Sequence, residues 1–163
     1  MIASRVVVIG YGNPSRGDDA LGPVLIERLA ALKDEHPTAC DIELLTDFQL
    51  QVEHAVDLVD RDLALFIDAS VSCPPPCQLL RLSPLPDEGY TTHAMSPQAV
   101  LHVYRKLYGE PPPAFLLSVR GARFELGEPL TEAANAHLEA AAGLLETLCA
   151  HPDEDAWQTC CEG

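Results

Sequence analysis

The sequence predicts an α/β fold: a three-layer sandwich in which a twisted, mostly parallel five-stranded sheet carries helices on both faces. Two continuous apolar runs, 6–9 and 63–67, are typical of strands that are buried on both sides. Segments with helical periodicity alternate with the strand candidates, and this alternation favours parallel pairing with right-handed crossovers. Residues 1–150 are predicted to form a single domain.

The first half of the chain supplies three strands and two helices. Strand 6–9 is followed by a glycine-rich loop and by a helix over 23–32, with Leu25, Leu29 and Leu32 on one face. Residues 42–46 and 63–67 read as the second and third strands. Between them a short helix over 51–59 is expected to point its apolar side chains inward. Those side chains are Val52, Ala55, Val56 and Val59.

The second half begins with residues 78–82, which follow the third strand too closely for a crossover helix and predict an antiparallel or edge strand. Ser96 and Pro97 begin a helix that Gly109 ends. Residues 114–119 predict the last strand, and Thr131 caps a helix that runs to about residue 149. The acidic segment 151–163 predicts a frayed, flexible tail, in which Trp157 is the only expected anchor.

The net charge of −15 argues against nucleic acid and anionic membrane as partners, because both would be repelled. No apolar run is long enough to span a membrane or to form a signal peptide, so we expect a cytoplasmic protein. We also expect the protein to be a monomer. The six cysteines form no recognisable disulfide framework. Cys73 and Cys77, which three prolines separate, lack the second pair that a zinc site requires.

The loop after the first strand contains Gly10, Gly12 and Asn13 and precedes two adjacent carboxylates. A dinucleotide-binding fingerprint would need glycine where Ser15 stands, and the lysine of a phosphate-binding P-loop is missing. A nucleotide-binding module is therefore disfavoured.

The adjacent carboxylates, Asp18 and Asp19, would repel a phosphate group at this helix start but suit a cation. The alternative is a capping aspartate with a solvated neighbour, and spacing alone does not separate the two interpretations.

Two further polar residues, Asp68 and His93, complete a candidate site. Asp68 ends the buried third strand, and His93 lies on the loop before the Ser96 helix. In a parallel sheet such positions meet at the carboxyl edge, where ligands bind. Two carboxylates and an imidazole suit nickel, zinc or another first-row metal.

These motifs together resemble those of the maturation endopeptidases of nickel-iron hydrogenases. The similarity is carried by an opening motif, a strand-end aspartate and a loop histidine, and it continues through two later passages to about residue 148. The matching segments are 10–13, 18–22, Asp68, His93 with Ser96 and Pro97, 107–109 and 125–131.

The resemblance implies an aspartyl-type endopeptidase that removes a short C-terminal extension from the hydrogenase large-subunit precursor after nickel insertion. Nickel would come with the substrate, with no tightly held cofactor in the protease. Asp19, Asp68 and His93 would contact this nickel, and Asp19 or Asp68 would serve as the catalytic residue. The first ligand is often glutamate in the family and is aspartate here.

One segment departs from the common family pattern. Residues 46–50 read Thr-Asp-Phe-Gln-Leu and precede Glu53, where many members carry Asp-Gly-Gly-Thr. This version resembles the branch that serves soluble, NAD-coupled hydrogenases, and it implies that Gln49 and Glu53 help to select the precursor. Two alternatives stay open: a hydrolase that holds its own metal, and a nickel-sensing chaperone that docks without cleaving.

Overall fold

The computed structural model describes residues 5–35, 40–87 and 95–162. Five strands, β1 to β5, form one sheet: Arg5–Tyr11, Asp41–Asp47, Leu63–Ser70, Cys77–Arg81 and Ala114–Arg120. The α-helices, α1 to α4, span Leu21–Glu35, Pro97–Tyr108, Glu132–Ala150 and Glu154–Glu162. Two 3-10 helices, Gly17–Ala20 and Val52–Leu58, follow β1 and β2.

The strand order is β2-β1-β3-β5-β4, and all neighbours pair in parallel except β4, which runs antiparallel to β5 at one edge. Side chains of the central strands alternate between two cores. Val6 and Val8 of β1 face the core beneath α1, α3 and α4, whereas Val7 and Ile9 face the core beneath α2 and the second 3-10 helix. The predicted mostly parallel, five-stranded sheet with helices on both faces is thus confirmed.

Local capping fixes the starts of α2 and α3. The Ser96 hydroxyl accepts a hydrogen bond from the Ala99 amide at 3.1 Å, and Pro97 occupies the first turn. Gly109 follows α2 with a φ of 101°, which favours glycine. The Thr131 hydroxyl accepts from the Ala134 amide at 3.2 Å. Each of these features follows from a short sequence signal.

The segment beyond residue 150 differs from the frayed tail that the sequence predicts, because residues Glu154–Glu162 form helix α4. Trp157 is buried there, and its indole nitrogen donates a hydrogen bond to the Leu148 carbonyl at 2.9 Å. Its ring packs edge-on against Phe115 of β5, with 5.5 Å between the ring centroids. One aromatic anchor thus holds a segment whose composition suggested disorder.

The second 3-10 helix also departs from expectation. Ala55 points inward as predicted, but the other buried side chains are those of His54 and Leu58, while Val52 and Val56 are exposed. A 3-10 helix repeats every three residues instead of 3.6, so the buried face differs from the one that an α-helical pattern selects.

No helix within the described ranges has the length and hydropathy needed to cross a membrane.

Candidate active site

The candidate site lies where the strand order of the sheet reverses direction. From β1 the chain passes through α1 to β2 on one side, whereas from β3 it continues to β4 and β5 on the other. Ligands of open α/β sheets bind at such a switch point, outside the carboxyl ends of the strands. Asp68 lies one residue beyond the last β1–β3 pair, Gly10 and Ile67, and therefore at this edge.

The glycine loop positions Asp19 through backbone contacts. Gly12 has a φ of 144°, and a Cβ at this residue would lie 2.0 Å from the carbonyl oxygen of Asp19. The Gly12 amide donates to the Asp47 carbonyl at 3.0 Å, and the Asn13 amide donates to Asp19 Oδ2 at 2.8 Å. The loop therefore folds closely over Asp19 and holds its carboxylate in place.

Two further glycines bring α1 onto the sheet. A Cβ at Gly10 would lie 2.6 Å from the Gly22 carbonyl oxygen, and one at Gly22 would lie 2.9 Å from the Ile67 carbonyl oxygen. No side chain fits between these backbones. The first turn of α1 is consequently pressed against β1 and β3, which carries Asp19 toward Asp68.

Asp18 and Asp19 have different roles. Asp18 is fully buried, and its Oδ2 accepts from the amides of Ala122 at 2.7 Å and Arg123 at 3.2 Å. The Thr131 amide donates to Asp18 Oδ1 and the Thr131 hydroxyl to Oδ2, both at 2.8 Å. Asp18 is therefore a structural anchor that joins the glycine loop to the start of α3.

The hydrogen bonds of Asp18 also fix its charge state. Burial alone raises the pKa of this carboxyl, but the donors of Thr131, Ala122 and Arg123 outweigh burial, so the pKa is lowered from its ordinary value of 3.8. Of the two carboxylates that the sequence places together, only Asp19 is partly open to solvent.

The pKa of Asp68 is raised from 3.8 to about 7. Burial is the main cause, and the negative charge of Asp19 adds to it. Hydrogen bonds from the Tyr11 hydroxyl and the Ala69 amide act in the opposite direction but are weaker. Asp19 and Asp68 therefore come within electrostatic range of each other, as their positions in the sequence predict.

Tyr11 is a site residue that sequence reasoning missed. Its side chain is buried at the end of β1, and its hydroxyl donates to the carboxylate of Asp68. Burial raises the pKa of Tyr11 well above 10, and the nearby charges of Asp68 and Asp19 raise it further, so the hydroxyl stays protonated. The available signal was a tyrosine between two glycines at the end of a buried strand.

The segment after β2 lies beside the glycine loop because the Asp47 carbonyl accepts from Gly12. Gln49 and Glu53 are both exposed here. His54 is buried, accepts from the Gln51 amide through Nδ1 at 2.8 Å, and places Nε2 3.3 Å from Asp47 Oδ2. His54 therefore fixes the shape of this segment.

His93 lies outside the described residues, so its predicted place beside Asp19 and Asp68 stays a prediction. Within the described ranges, no group of three or more histidine, cysteine, aspartate or glutamate side chains is arranged to hold a metal. Asp19 and Asp68 supply two oxygen-bearing side chains, and a complete metal site would need further donors.

Comparison with solved structures identifies similar proteins. The [NiFe] hydrogenase maturation protease HycI from Thermococcus kodakarensis KOD1 matches with a TM-score of 0.69 and 25% identity, over 90% of this chain and 92% of that one. The hydrogenase maturating endopeptidase HybD from E. coli matches with a TM-score of 0.66 and 26% identity, over 93% and 99% of the two chains.

A third match is to the hydrogenase 2 maturation peptidase from Thaumarchaeota archaeon SCGC_AB-539-E09. It matches with a TM-score of 0.61 and 22% identity, over 88% of this chain and 97% of that one. At this identity the match shows a shared fold only. No protein-family model matches this chain, and the comparison with curated proteins found no match either. The similarity to nickel-iron hydrogenase maturation endopeptidases that the sequence motifs indicate is thus confirmed by the solved structures, whose α/β fold this chain shares.

Proposed function

We propose that this chain is an endopeptidase that removes a short C-terminal extension from the large-subunit precursor of a nickel-iron hydrogenase after nickel insertion. The observation that carries the proposal is the pair of carboxylates at the sheet's switch point, one of which has a pKa of about 7. Support also comes from the solved maturation proteases at 25% and 26% identity.

Asp68 is suited to proton transfer. A carboxyl with a pKa of about 7 is divided between its acid and base forms near neutral pH. Where its carboxylate is not bound to nickel, it can take a proton from the attacking water and return it to the amine that leaves when the peptide bond breaks. The Tyr11 hydroxyl orients the carboxylate for this exchange, because it donates to Asp68 and stays protonated itself.

Asp19 is proposed to face the nickel that the precursor carries, together with Asp68 and His93. Carboxylate oxygens and imidazole nitrogen are suitable ligands for a first-row divalent ion, and such an ion polarises a neighbouring carbonyl or lowers the pKa of water. The Asn13 amide holds one oxygen of Asp19, which limits its rotation. Because these ligands would meet nickel only on a loaded precursor, docking would report that insertion is complete.

Gln49 and Glu53 are proposed to help select the precursor, which would belong to a soluble, NAD-coupled hydrogenase. Both side chains are exposed on the segment that the Asp47 carbonyl joins to the glycine loop. We further propose that the protease works as a monomer in the cytoplasm.

The proposal is tested by incubating the protein with nickel-loaded and nickel-free large-subunit precursors and measuring the precursor mass. We expect a C-terminal peptide to be lost from the loaded precursor only, and no loss with the Asp68→Asn or Asp19→Asn variants. Cleavage of both precursors by a protein purified with stoichiometric metal would instead support a hydrolase with its own metal. A stable complex of unchanged mass would support a chaperone.

A further inference from the structure

Three large apolar side chains are exposed within nine consecutive residues beside the candidate site. Phe48 is 66% exposed, Val52 50% and Val56 58%, and these three residues are called the apolar strip below. Single exposed apolar residues are ordinary on protein surfaces. The apolar strip is different because its members cluster in sequence and because the segment's buried face is already filled by other residues, Ala55 and Leu58.

The segment that carries the apolar strip is fixed in shape. The Asp47 carboxylate accepts from the Phe48 amide at 2.7 Å and lies 3.3 Å from His54 Nε2. Gln51 and His54 form reciprocal hydrogen bonds at the start of the 3-10 helix. A surface held in this way loses little conformational entropy when a partner docks on it.

The segment is also continuous with the candidate active site. The Asp47 carbonyl accepts from the Gly12 amide in the loop that holds Asp19, and Phe48 is the next residue along the chain. The apolar strip therefore begins one residue from the backbone hydrogen bond that joins this segment to the loop of Asp19.

The charged carboxylates of the segment that carries the apolar strip are not balanced by any lysine or arginine of that segment. Residues 47–60 contain Asp47, Glu53, Asp57 and Asp60, and they contain no lysine or arginine. In a protein whose net charge is −15, such a surface disfavours an acidic partner or a second copy of the chain and favours a basic one.

We propose that the apolar strip docks an exposed segment of the hydrogenase precursor in which apolar side chains alternate with lysine or arginine. The proposal rests on the proposed function and names the surface that function uses outside the cleavage centre. Apolar side chains of the precursor would cover Phe48, Val52 and Val56, while its basic groups would face Glu53 and Asp57. The docked segment would lead the precursor's C-terminal extension toward Asp68.

The test compares Phe48→Ser and the triple variant Phe48→Ser/Val52→Ser/Val56→Ser with the wild type on a nickel-loaded large-subunit precursor. KM and kcat are measured from cleavage of the precursor. Kd is measured by calorimetry with proteins that also carry Asp68→Asn, so that the precursor is not cleaved during the titration. We expect the triple variant to raise KM and Kd by at least about tenfold with kcat little changed. Added salt should raise the KM of the wild type, and Glu53→Lys should weaken that salt dependence.

The matched control is Leu107→Ser, which removes an exposed leucine at the end of α2, away from the carboxyl edge of the sheet. Its KM should equal that of the wild type. A folded triple variant with wild-type KM and Kd would overturn the proposal, as would a wild-type dimer that the triple variant dissociates. Tight, strip-dependent binding without cleavage would uphold the docking surface and refute the peptidase function; absence of both binding and cleavage would refute both.

Discussion

The adjacent residues Asp18 and Asp19 have different roles in this chain. Asp18 is buried and accepts hydrogen bonds from residues 104 to 113 positions further along the chain, whereas Asp19 stays partly exposed at the carboxyl edge. Their spacing in the sequence could not reveal this division, because the donors to Asp18 come from the segment that precedes α3. The local signal indicated two carboxylates at a helix start, and only the tertiary fold distinguishes anchor from site residue.

We expect Asp18→Asn to lower the free energy of unfolding by about 2 to 4 kcal/mol at pH 7, because a buried acceptor of several hydrogen bonds is replaced by a group that also donates. Asp19→Asn is the matched control and should unfold at nearly the wild-type denaturant concentration. Urea titration followed by circular dichroism measures both. Equal midpoints for the two variants would show that Asp18 is not an anchor.

The lowered pKa of Asp18 also predicts how the stability difference between the wild type and Asp18→Asn depends on pH. Because the folded state holds the proton less tightly than the unfolded state, the stabilisation is present above the ordinary pKa of 3.8 and is lost as the pH falls through the lower, folded value. The difference in the free energy of unfolding between the wild type and Asp18→Asn should therefore become smaller in acid.

Asp68 has the opposite effect on the pH dependence of stability. Its folded pKa of about 7 exceeds the ordinary 3.8, so the folded state binds the proton more tightly and loses stability as the pH rises from about 4 to 7. The difference between a pKa of 3.8 and one of about 7 corresponds to about 4 kcal/mol of unfolding free energy. We expect Asp68→Asn to be more stable than wild type at pH 8 and similar to it at pH 4, while processing is lost at both.

Thermal unfolding of wild type and Asp68→Asn across this pH range measures the effect. A stability difference that stays constant from pH 4 to 8 would contradict the raised pKa of Asp68.

At the scale of elements, the glycine loop is the part whose geometry tolerates least change. Gly12→Ala would place a Cβ 2.0 Å from the Asp19 carbonyl oxygen at a φ of 144°. We expect lower thermal stability and loss of processing, because the loop must open and release Asp19. Gly143→Ala is the control: this exposed glycine of α3 has nothing within 4 Å of an added Cβ, and the change should stabilise the protein by about 0.5 to 1 kcal/mol.

Elements that local signals define were predictable, and elements that distant contacts define were not. The strands follow from apolar runs, and α2 and α3 follow from Ser96, Pro97 and Thr131, whose capping bonds span three residues. An α-helical period predicts that the segment Val52–Leu58 buries Val52 and Val56. The segment forms a 3-10 helix instead, because tertiary packing and the His54 cap set its period. Because the α-helical pattern predicts burial of Val52 and Val56, the sequence does not indicate that they are exposed together with Phe48.

At the scale of the whole molecule, strand order brings the candidate site together. Asp19 and Asp68 are far apart in sequence, and they meet because β1 and β3 are neighbours at the point where the connections diverge. The alternation of strands and helices was enough to predict that Asp19 and Asp68 lie close together.

The position of His93 is inferred by the same argument. We expect His93→Ala to abolish processing of the nickel-loaded precursor without changing the melting temperature.

The burial of Trp157 has a practical consequence for measurements on this protein. The chain has a single tryptophan, and its indole lies between α4 and β5 with Phe115 as its aromatic neighbour. Its fluorescence should be blue-shifted in the native state and should move to longer wavelength when α4 separates from the sheet. Emission and far-ultraviolet dichroism recorded in one melt would then show whether the C-terminal helix dissociates before the rest of the protein unfolds or together with it.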